Sequence, residues 1–171
     1  MPDKNQSAQS IAGVIFTKNK EQVLLIMRRD VPVWVLPGGG IEPSETPETA
    51  IVREMEEETG YLVAITRLVG NYLPANRLTR KTALFECKII SGAAKTGPET
   101  RAIACFSVKD LPKLMPPPYQ EWIQDALAQT KEPLEKTLQG ITYVLLLKFF
   151  LRHPLLVTRF LLSRMGIFIN S

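Results

Sequence analysis

Four glutamates lie within the eight-residue segment REMEEETG, residues 53–60. Carboxylates three or four positions apart on a helix repel one another and destabilise an isolated helix by about 0.2–0.5 kcal/mol per pair. A divalent cation offsets this repulsion, because Mg²⁺ and Mn²⁺ prefer oxygen ligands. The cluster therefore predicts a binding site for a hard divalent cation.

The segment that carries these glutamates has the start and stop signals of a helix. Thr46 is suited to the N-cap, and Pro47 fits the first helical position. Glu48 suits the positive end of the helix dipole, and Gly60 is suited to the end of the helix. These signals predict a helix between Pro47 and Gly60.

The spacing of the glutamates places two of them beside the apolar side of this helix. With an advance of about 100° per residue, Ile51 and Met55 share one stripe, and Glu58 lies about 20° from Ile51. Glu54 lies about 60° from Ile51 by the same rule. A solvated charged face would lie opposite the stripe, so we expect Glu58 to border the buried side.

Strands and a second helix are expected around the acidic helix. Residues 10–29 have β-branched and apolar residues on both sides of a polar turn at 18–21, which favours a hairpin. In the sequence VPVWVLPGGGIEPSE, a short extended piece is followed by three glycines and two prolines, which predict a loop that approaches a ligand closely. Further strands are predicted at 62–72, 82–90 and 103–108, and a second helix at 116–130, with Trp122, Ile123, Ala126 and Leu127 on its apolar side.

The net charge of +4 does not indicate a nucleic-acid-binding face. Four of the 21 basic residues and none of the 17 acidic residues lie in residues 141–171. The rest of the chain therefore carries equal numbers of basic and acidic side chains. The basic character belongs to the C-terminal segment, and we expect no nucleic-acid partner.

The cysteines and the N-terminus favour an intracellular protein. Cys87 and Cys105 lie in apolar runs that resemble strands, so both are predicted to be buried free thiols. The first ten residues are polar and lack the apolar core of a signal peptide. We therefore expect a cytoplasmic location and a disordered segment at residues 1–9.

Residues 39–61, GGIEPSETPETAIVREMEEETGY, resemble the Nudix box, the signature of the Nudix hydrolase family. The resemblance extends more loosely over residues 10 to 130. It implies an α/β/α sandwich with a mixed β-sheet, and hydrolysis of a nucleoside diphosphate linked to another group. The matching residues are Gly39, Glu45, Arg53, Glu54, Glu57, Glu58 and Gly60.

The resemblance also implies a set of catalytic residues and a metal cofactor, Mg²⁺ or Mn²⁺. Glu54, Glu57 and Glu58 are the expected metal ligands, with a backbone carbonyl near Gly39 as a further one. Which glutamate acts as the general base stays open. Two more residues are expected to act in catalysis, Arg53 by orienting the helix glutamates and Glu45 by assisting the metal site or fixing the loop.

Five further residues are candidates for substrate binding. Glu99 is the candidate for an acidic residue that completes the site from a distant loop, with a plain surface loop as the alternative. Arg77, Arg80 and Lys81 precede a strand and are suited to bind phosphates, although a solvated loop also explains them. Trp34 is suited to stack on a base, whereas an aromatic beside a strand is more often a packing residue.

The C-terminal segment is unusually apolar and basic. Lys148, Arg152 and Arg159 interrupt every window long enough to cross a membrane, and Pro154 should break a helix there. We predict a helical extension over residues 133–171, after a Nudix domain at 10–132. Residues 141–171 then either pack on the domain or form a homodimer interface, or they bind the inner face of a membrane peripherally.

Two functions are consistent with these observations. The first is a metal-dependent hydrolase that cleaves a phosphoanhydride bond in a small nucleotide-derived substrate. The second is a Nudix-like nucleotide-binding or membrane-surface module without turnover. The acidic residues favour the enzyme, and the sequence leaves the substrate open among damaged nucleoside triphosphates, nucleotide sugars and dinucleoside polyphosphates.

Overall fold

The computed structural model describes residues 8–17, 19–74, 80–138 and 158, and within them the chain forms seven strands and two helices. In chain order these are β1 (Ser10–Ile15), β2 (Gln22–Arg28), β3 (Trp34–Val35), α1 (Pro47–Thr59), β4 (Tyr61–Pro74), β5 (Thr82–Gly92), β6 (Thr100–Ser107), α2 (Tyr119–Leu127) and β7 (Leu134–Leu138).

The strands form two sheets. One has four strands in the order β1-β5-β4-β7, and it is mixed, because β1 pairs with β5 and β7 pairs with β4 in parallel while β4 and β5 are antiparallel. The other has three antiparallel strands in the order β3-β2-β6. The predicted sandwich is confirmed, with its strands divided between two sheets.

The two helices cover opposite faces of the strands. Ile51 and Met55 of α1 are fully buried in one core cluster, together with Ile11 and Phe85. Residues of α2 belong to a second cluster, which contains Val14 of the same strand β1. Because successive side chains of a strand point to opposite faces, α1 and α2 lie on opposite sides.

Helix α1 has the predicted ends. The hydroxyl of Thr46 accepts a hydrogen bond from the Thr49 backbone amide, and the Thr49 hydroxyl accepts one from the Thr46 amide. Gly60 ends the helix with a φ of 73°, and its amide donates to the Glu56 carbonyl at 2.8 Å. These caps fix the helix that carries the acidic cluster.

The predicted hairpin at residues 10–29 is confirmed only at its turn. The Thr17 amide donates to the Gln22 carbonyl at 2.9 Å and Phe16 forms an antiparallel bridge with Val23, but strands β1 and β2 lie in different sheets. The residues that flank the turn fit a hairpin, but β1 instead pairs in parallel with β5, from Ser10 to Ile15. Pairing with a strand so distant in sequence is not visible in a local pattern.

The ends of the domain also differ from the predicted boundaries. Gln9 lies in the segment predicted to be disordered, yet its amide donates to the Lys81 carbonyl at 2.8 Å. Residues 134–138, which we assigned to the helical extension, form strand β7 beside β4. Lys136 of β7 donates to Asp125 of α2 at 2.6 Å and so ties this strand to the helix.

The two cysteines differ in exposure. Cys87 is buried as expected, but Cys105 is exposed, so the prediction of two buried thiols is wrong for Cys105.

The contacts that we predicted for the C-terminal segment are not described. Of residues 141–171, the structure describes residue 158 alone. In the parts of the chain that are described, neither helix has the length and apolar character needed to cross a membrane.

The end of α1 generates a test of the fold. Replacing Gly60 with alanine should lower the free energy of unfolding by at least about 1–2 kcal/mol, because the left-handed conformation is costly for a residue with a Cβ. That Cβ would also lie only 2.6 Å from the Ala93 carbonyl oxygen. Urea denaturation of the full chain measures the loss.

Gly40→Ala is the matched control for this prediction. The nearest atom to a Cβ at Gly40 is Arg80 Nη1, at 3.9 Å. The free energy of unfolding should therefore change by less than about 1 kcal/mol. Equal effects of the two substitutions would contradict the role of Gly60 as the helix end.

Candidate active site

The glycine-rich loop before α1 lies directly over the acidic helix. The Gly38 amide donates to Glu58 Oε2 at 2.8 Å. A Cβ on Gly39 would lie 2.4 Å from Glu54 Oε1, so a larger residue there would displace this carboxylate. The loop is held against β1, where the Ile11 amide donates to the Gly39 carbonyl at 2.9 Å. Loop and helix together form one site.

Arg53 connects the acidic residues of the loop and the helix. Its guanidinium binds both carboxylate oxygens of Glu45, at 2.8 and 3.0 Å. It also donates to Glu54 at 2.9 Å and to Glu57 at 3.2 Å, as well as to the Gly40 carbonyl at 3.3 Å. The orienting role of Arg53 stays a prediction, and the hydrogen bonds from Arg53 hold the pKa of Glu45 below its ordinary value.

Glu58 is the most deeply buried carboxylate of this helix, with 8% of the residue exposed. Burial raises the pKa of its carboxyl to about 7, and the charge of Glu54 acts in the same direction. Burial also raises the pKa of Glu54, against the opposing effect of Arg53. Among the described residues no basic side chain forms an ion pair with Glu58. The charged form of Glu58 is therefore stabilised by the Gly38 amide and, without an ion pair, by the charge of Arg28.

The structure brings Glu99 to the same site. Gly97 packs on the end of α1, where a Cβ would lie 2.1 Å from the Glu57 carbonyl oxygen. The Glu99 side chain is exposed, and its charge is close enough to add to the raised pKa values of Glu54 and Glu58, which burial mainly causes. Of the two interpretations of Glu99, this position favours the acidic residue near the site.

The structure describes three of the other four residues predicted to bind substrate, and they lie in different surroundings. Arg80 is exposed and lies beside Gly40, so it is close to the loop over the acidic helix. The backbone carbonyl of Lys81 accepts a hydrogen bond from the Gln9 amide, and Arg77 lies outside the described residues. Trp34 packs edge-on against Phe106 with ring centroids 4.6 Å apart, a contact that accounts for its position by packing.

Our sequence analysis missed two arginines at the edge of the site. Arg28 binds both oxygens of Asp30, at 2.9 and 2.6 Å, and is the basic residue whose charge opposes the raised pKa of buried Glu58. The neighbouring Arg29 binds the backbone on both sides of Glu99. The sequence signal that could have identified them is a pair of adjacent arginines at the end of an apolar strand.

The donor atoms of the site fit a hard divalent cation in their chemistry. Glu54, Glu57 and Glu58 provide carboxylates, and the Gly39 carbonyl keeps one lone pair beside its bond to Ile11. Across residues 8–17, 19–74 and 80–138, however, no three acidic, histidine or cysteine side chains converge into a ready metal site. In this structure the carboxylates of Glu54 and Glu57 bind Arg53 instead.

Comparison with known proteins identifies the family of this site. The family model described as NUDIX domain matches residues 8–126. A relative from Bacillus subtilis named "Putative 8-oxo-dGTP diphosphatase" is 39% identical over 115 residues, which cover 67% of this chain and 76% of the relative. An ADP-ribose pyrophosphatase from Methanocaldococcus jannaschii is 36% identical over 113 residues, covering 63% of this chain and 66% of that protein.

A solved structure has the same fold. The NUDIX hydrolase from Nitrosomonas europaea superimposes with a TM-score of 0.64 at 23% sequence identity, and the match covers 75% of this chain and 94% of that one. The residues that the family model matches contain the glycine-rich loop, α1 and strands β1 to β6. This chain therefore belongs to the Nudix family.

Proposed function

We propose that this chain is a pyrophosphohydrolase that uses Mg²⁺ or Mn²⁺ to cleave a phosphoanhydride bond in a nucleoside diphosphate linked to another group. The observation that carries the proposal is the buried carboxylate of Glu58, which has an amide but no cationic side chain as its partner among the described residues. A buried charge without compensation is costly, and a bound cation removes this cost.

The residues of α1 have distinct parts in the proposed reaction. Glu54, Glu57 and Glu58 would hold the cation, which when bound neutralises phosphate charge and lowers the pKa of a bound water. Gly38 keeps Glu58 oriented through its amide. Glu57 is the most exposed member of the set, with 58% of its side chain exposed and a contact with Arg53 that is 3.2 Å long.

The surroundings of the helix supply contacts for the substrate. Arg80 lies at the exposed edge of the glycine-rich loop, where its guanidinium can bind a phosphate group. Arg53 is occupied by Glu45, Glu54 and Glu57, so we assign it to positioning of the carboxylates rather than to substrate binding. Lys81 and Arg77 stay predictions for the same phosphate contacts.

The names of the relatives suggest which substrates to test. One relative is named for 8-oxo-dGTP and another for ADP-ribose, and both compounds contain phosphoanhydride bonds. The two names differ in the nucleotide, so they support the type of bond rather than one substrate. A panel of both compounds with a nucleotide sugar and a dinucleoside polyphosphate covers the classes that the sequence left open.

Glu57→Gln tests whether the helix carboxylates carry the reaction. The substitution removes one charge from the cation site, and we expect kcat to fall on the order of 100-fold or more. Release of phosphate or nucleoside monophosphate from the panel, with Mg²⁺ or Mn²⁺ present, measures the change. Wild-type binding of nucleotide without any turnover would instead support the non-enzymatic module.

Glu56→Gln is the matched control on the same helix. Glu56 is exposed, and the described structure shows its carbonyl, but not its carboxylate, in a hydrogen bond. The chemical change is the same as at Glu57, so kcat should stay within about twofold of wild type. Equal losses in the two variants would reject the assignment of the site to particular glutamates.

Arg53→Lys tests the positioning role of Arg53. A lysine has one ammonium group and cannot bridge Glu45, Glu54 and Glu57 as the guanidinium does. We expect kcat to fall about 10- to 100-fold, which is usual for residues that orient metal ligands. The KM for substrate should change little, because Arg53 has no assigned contact with it. A raised KM with unchanged kcat would contradict this role.

A further inference from the structure

Residues 93–99 connect β5 to β6 and carry Glu99 to the active site. The residues of this connection are exposed except for Gly97, which is partly buried. A segment with so little buried surface has little packing to hold it in one place. The position of Glu99 must therefore depend on specific hydrogen bonds at the two ends of the connection.

The first end of the connection rests on α1. The Lys95 amide donates to the Thr59 carbonyl at 2.9 Å, at the last residue of the helix. Gly97 follows, and its Cα lies so close to the Glu57 carbonyl that an added Cβ would overlap it. This end therefore places the chain beside the residues that carry the site carboxylates.

The second end is held by Arg29, which follows the last residue of β2. Its Nε donates to the Pro98 carbonyl and its Nη2 to the Thr100 carbonyl, both at 2.9 Å. Its backbone amide donates to the Glu99 carbonyl, also at 2.9 Å. One residue thus binds the carbonyls of Glu99 and of both its neighbours.

These contacts use the shape of the guanidinium. Its donors lie in a rigid planar fork, which can span two carbonyls that a single ammonium group cannot reach together. Among the described residues Arg29 forms no ion pair with a carboxylate, in contrast to Arg28, which binds Asp30. The side chain of Arg29 is therefore committed to the backbone around Glu99.

We propose that Arg29 is a positioning residue that holds Glu99 beside the carboxylates of α1, so that Glu99 takes part in binding the cation. The inference rests on the proposed function, because it assumes a cation site on α1. Arg29 itself contacts neither the cation nor the substrate. Its effect on the site should pass entirely through Glu99.

A double-mutant cycle on the full chain tests this proposal. The Mn²⁺ dissociation constant is measured by titration calorimetry for wild type, Arg29→Ala, Glu99→Gln and the double variant. We expect Arg29→Ala to raise the constant about 10-fold, in the range usual for residues that orient metal ligands. In the Glu99→Gln background the same substitution should have no further effect, because the residue it positions is already removed.

Three further variants separate positioning from general stability. Arg101→Ala removes an exposed arginine two residues after Glu99 and should leave the constant unchanged. Arg29→Lys keeps one donor and should recover part of the lost affinity. Gly97→Ala moves the other end of the connection away from α1 and should reproduce the loss caused by Arg29→Ala.

The results that would contradict this inference differ from those that would contradict the proposed function. An equal loss from Arg29→Ala in both backgrounds, or no loss in the wild-type background, would overturn the inference while leaving the proposed function intact. A wild-type chain that neither binds Mn²⁺ nor hydrolyses any compound of the panel would overturn the proposed function, and the inference with it.

Discussion

The burial of the Glu58 carboxyl without an ion-pair partner among the described residues is the constraint on which the site depends. Its carboxylate is buried beside Glu54, and the Gly38 amide is its hydrogen-bond partner. Helix packing creates this situation, because Ile51 and Met55 must face the core and Glu58 lies next to them on the wheel. The fold thus keeps a carboxyl in a place where burial disfavours its charged form, and a bound cation would stabilise that form.

The rest of the architecture serves to bring separate parts of the chain to this helix. Strand β1 holds the glycine-rich loop through the bond between Ile11 and Gly39. Arg53 joins Glu45 of the loop to the glutamates of α1. The β5–β6 connection then adds Glu99 from the other side. Backbone contacts hold the loop and the connection, and side-chain contacts of Arg53 hold the carboxylates of Glu45, Glu54 and Glu57 near one another.

The sequence was most informative where the determinants are local. The ends of α1, the burial of Glu58 and the apolar side of α2 follow from caps and helical spacing, and the structure confirms them. It was least informative where distant strands meet. The parallel pairing of β1 with β5, the addition of β7 to the sheet and the exposure of Cys105 depend on partners far away in the chain. The place of Arg29 in the site depends in the same way on a connection 70 residues later.

Titration of Mn²⁺ into the full chain and into its Glu58→Gln variant, with a non-hydrolysable ADP-ribose analogue present, tests the central claim most directly. The account predicts that wild type binds the ion and that the variant binds it at least about 10-fold more weakly, because the buried charge is gone. Indistinguishable affinities in the two proteins, or no binding of Mn²⁺ or Mg²⁺ by wild type with or without the nucleotide, would contradict it.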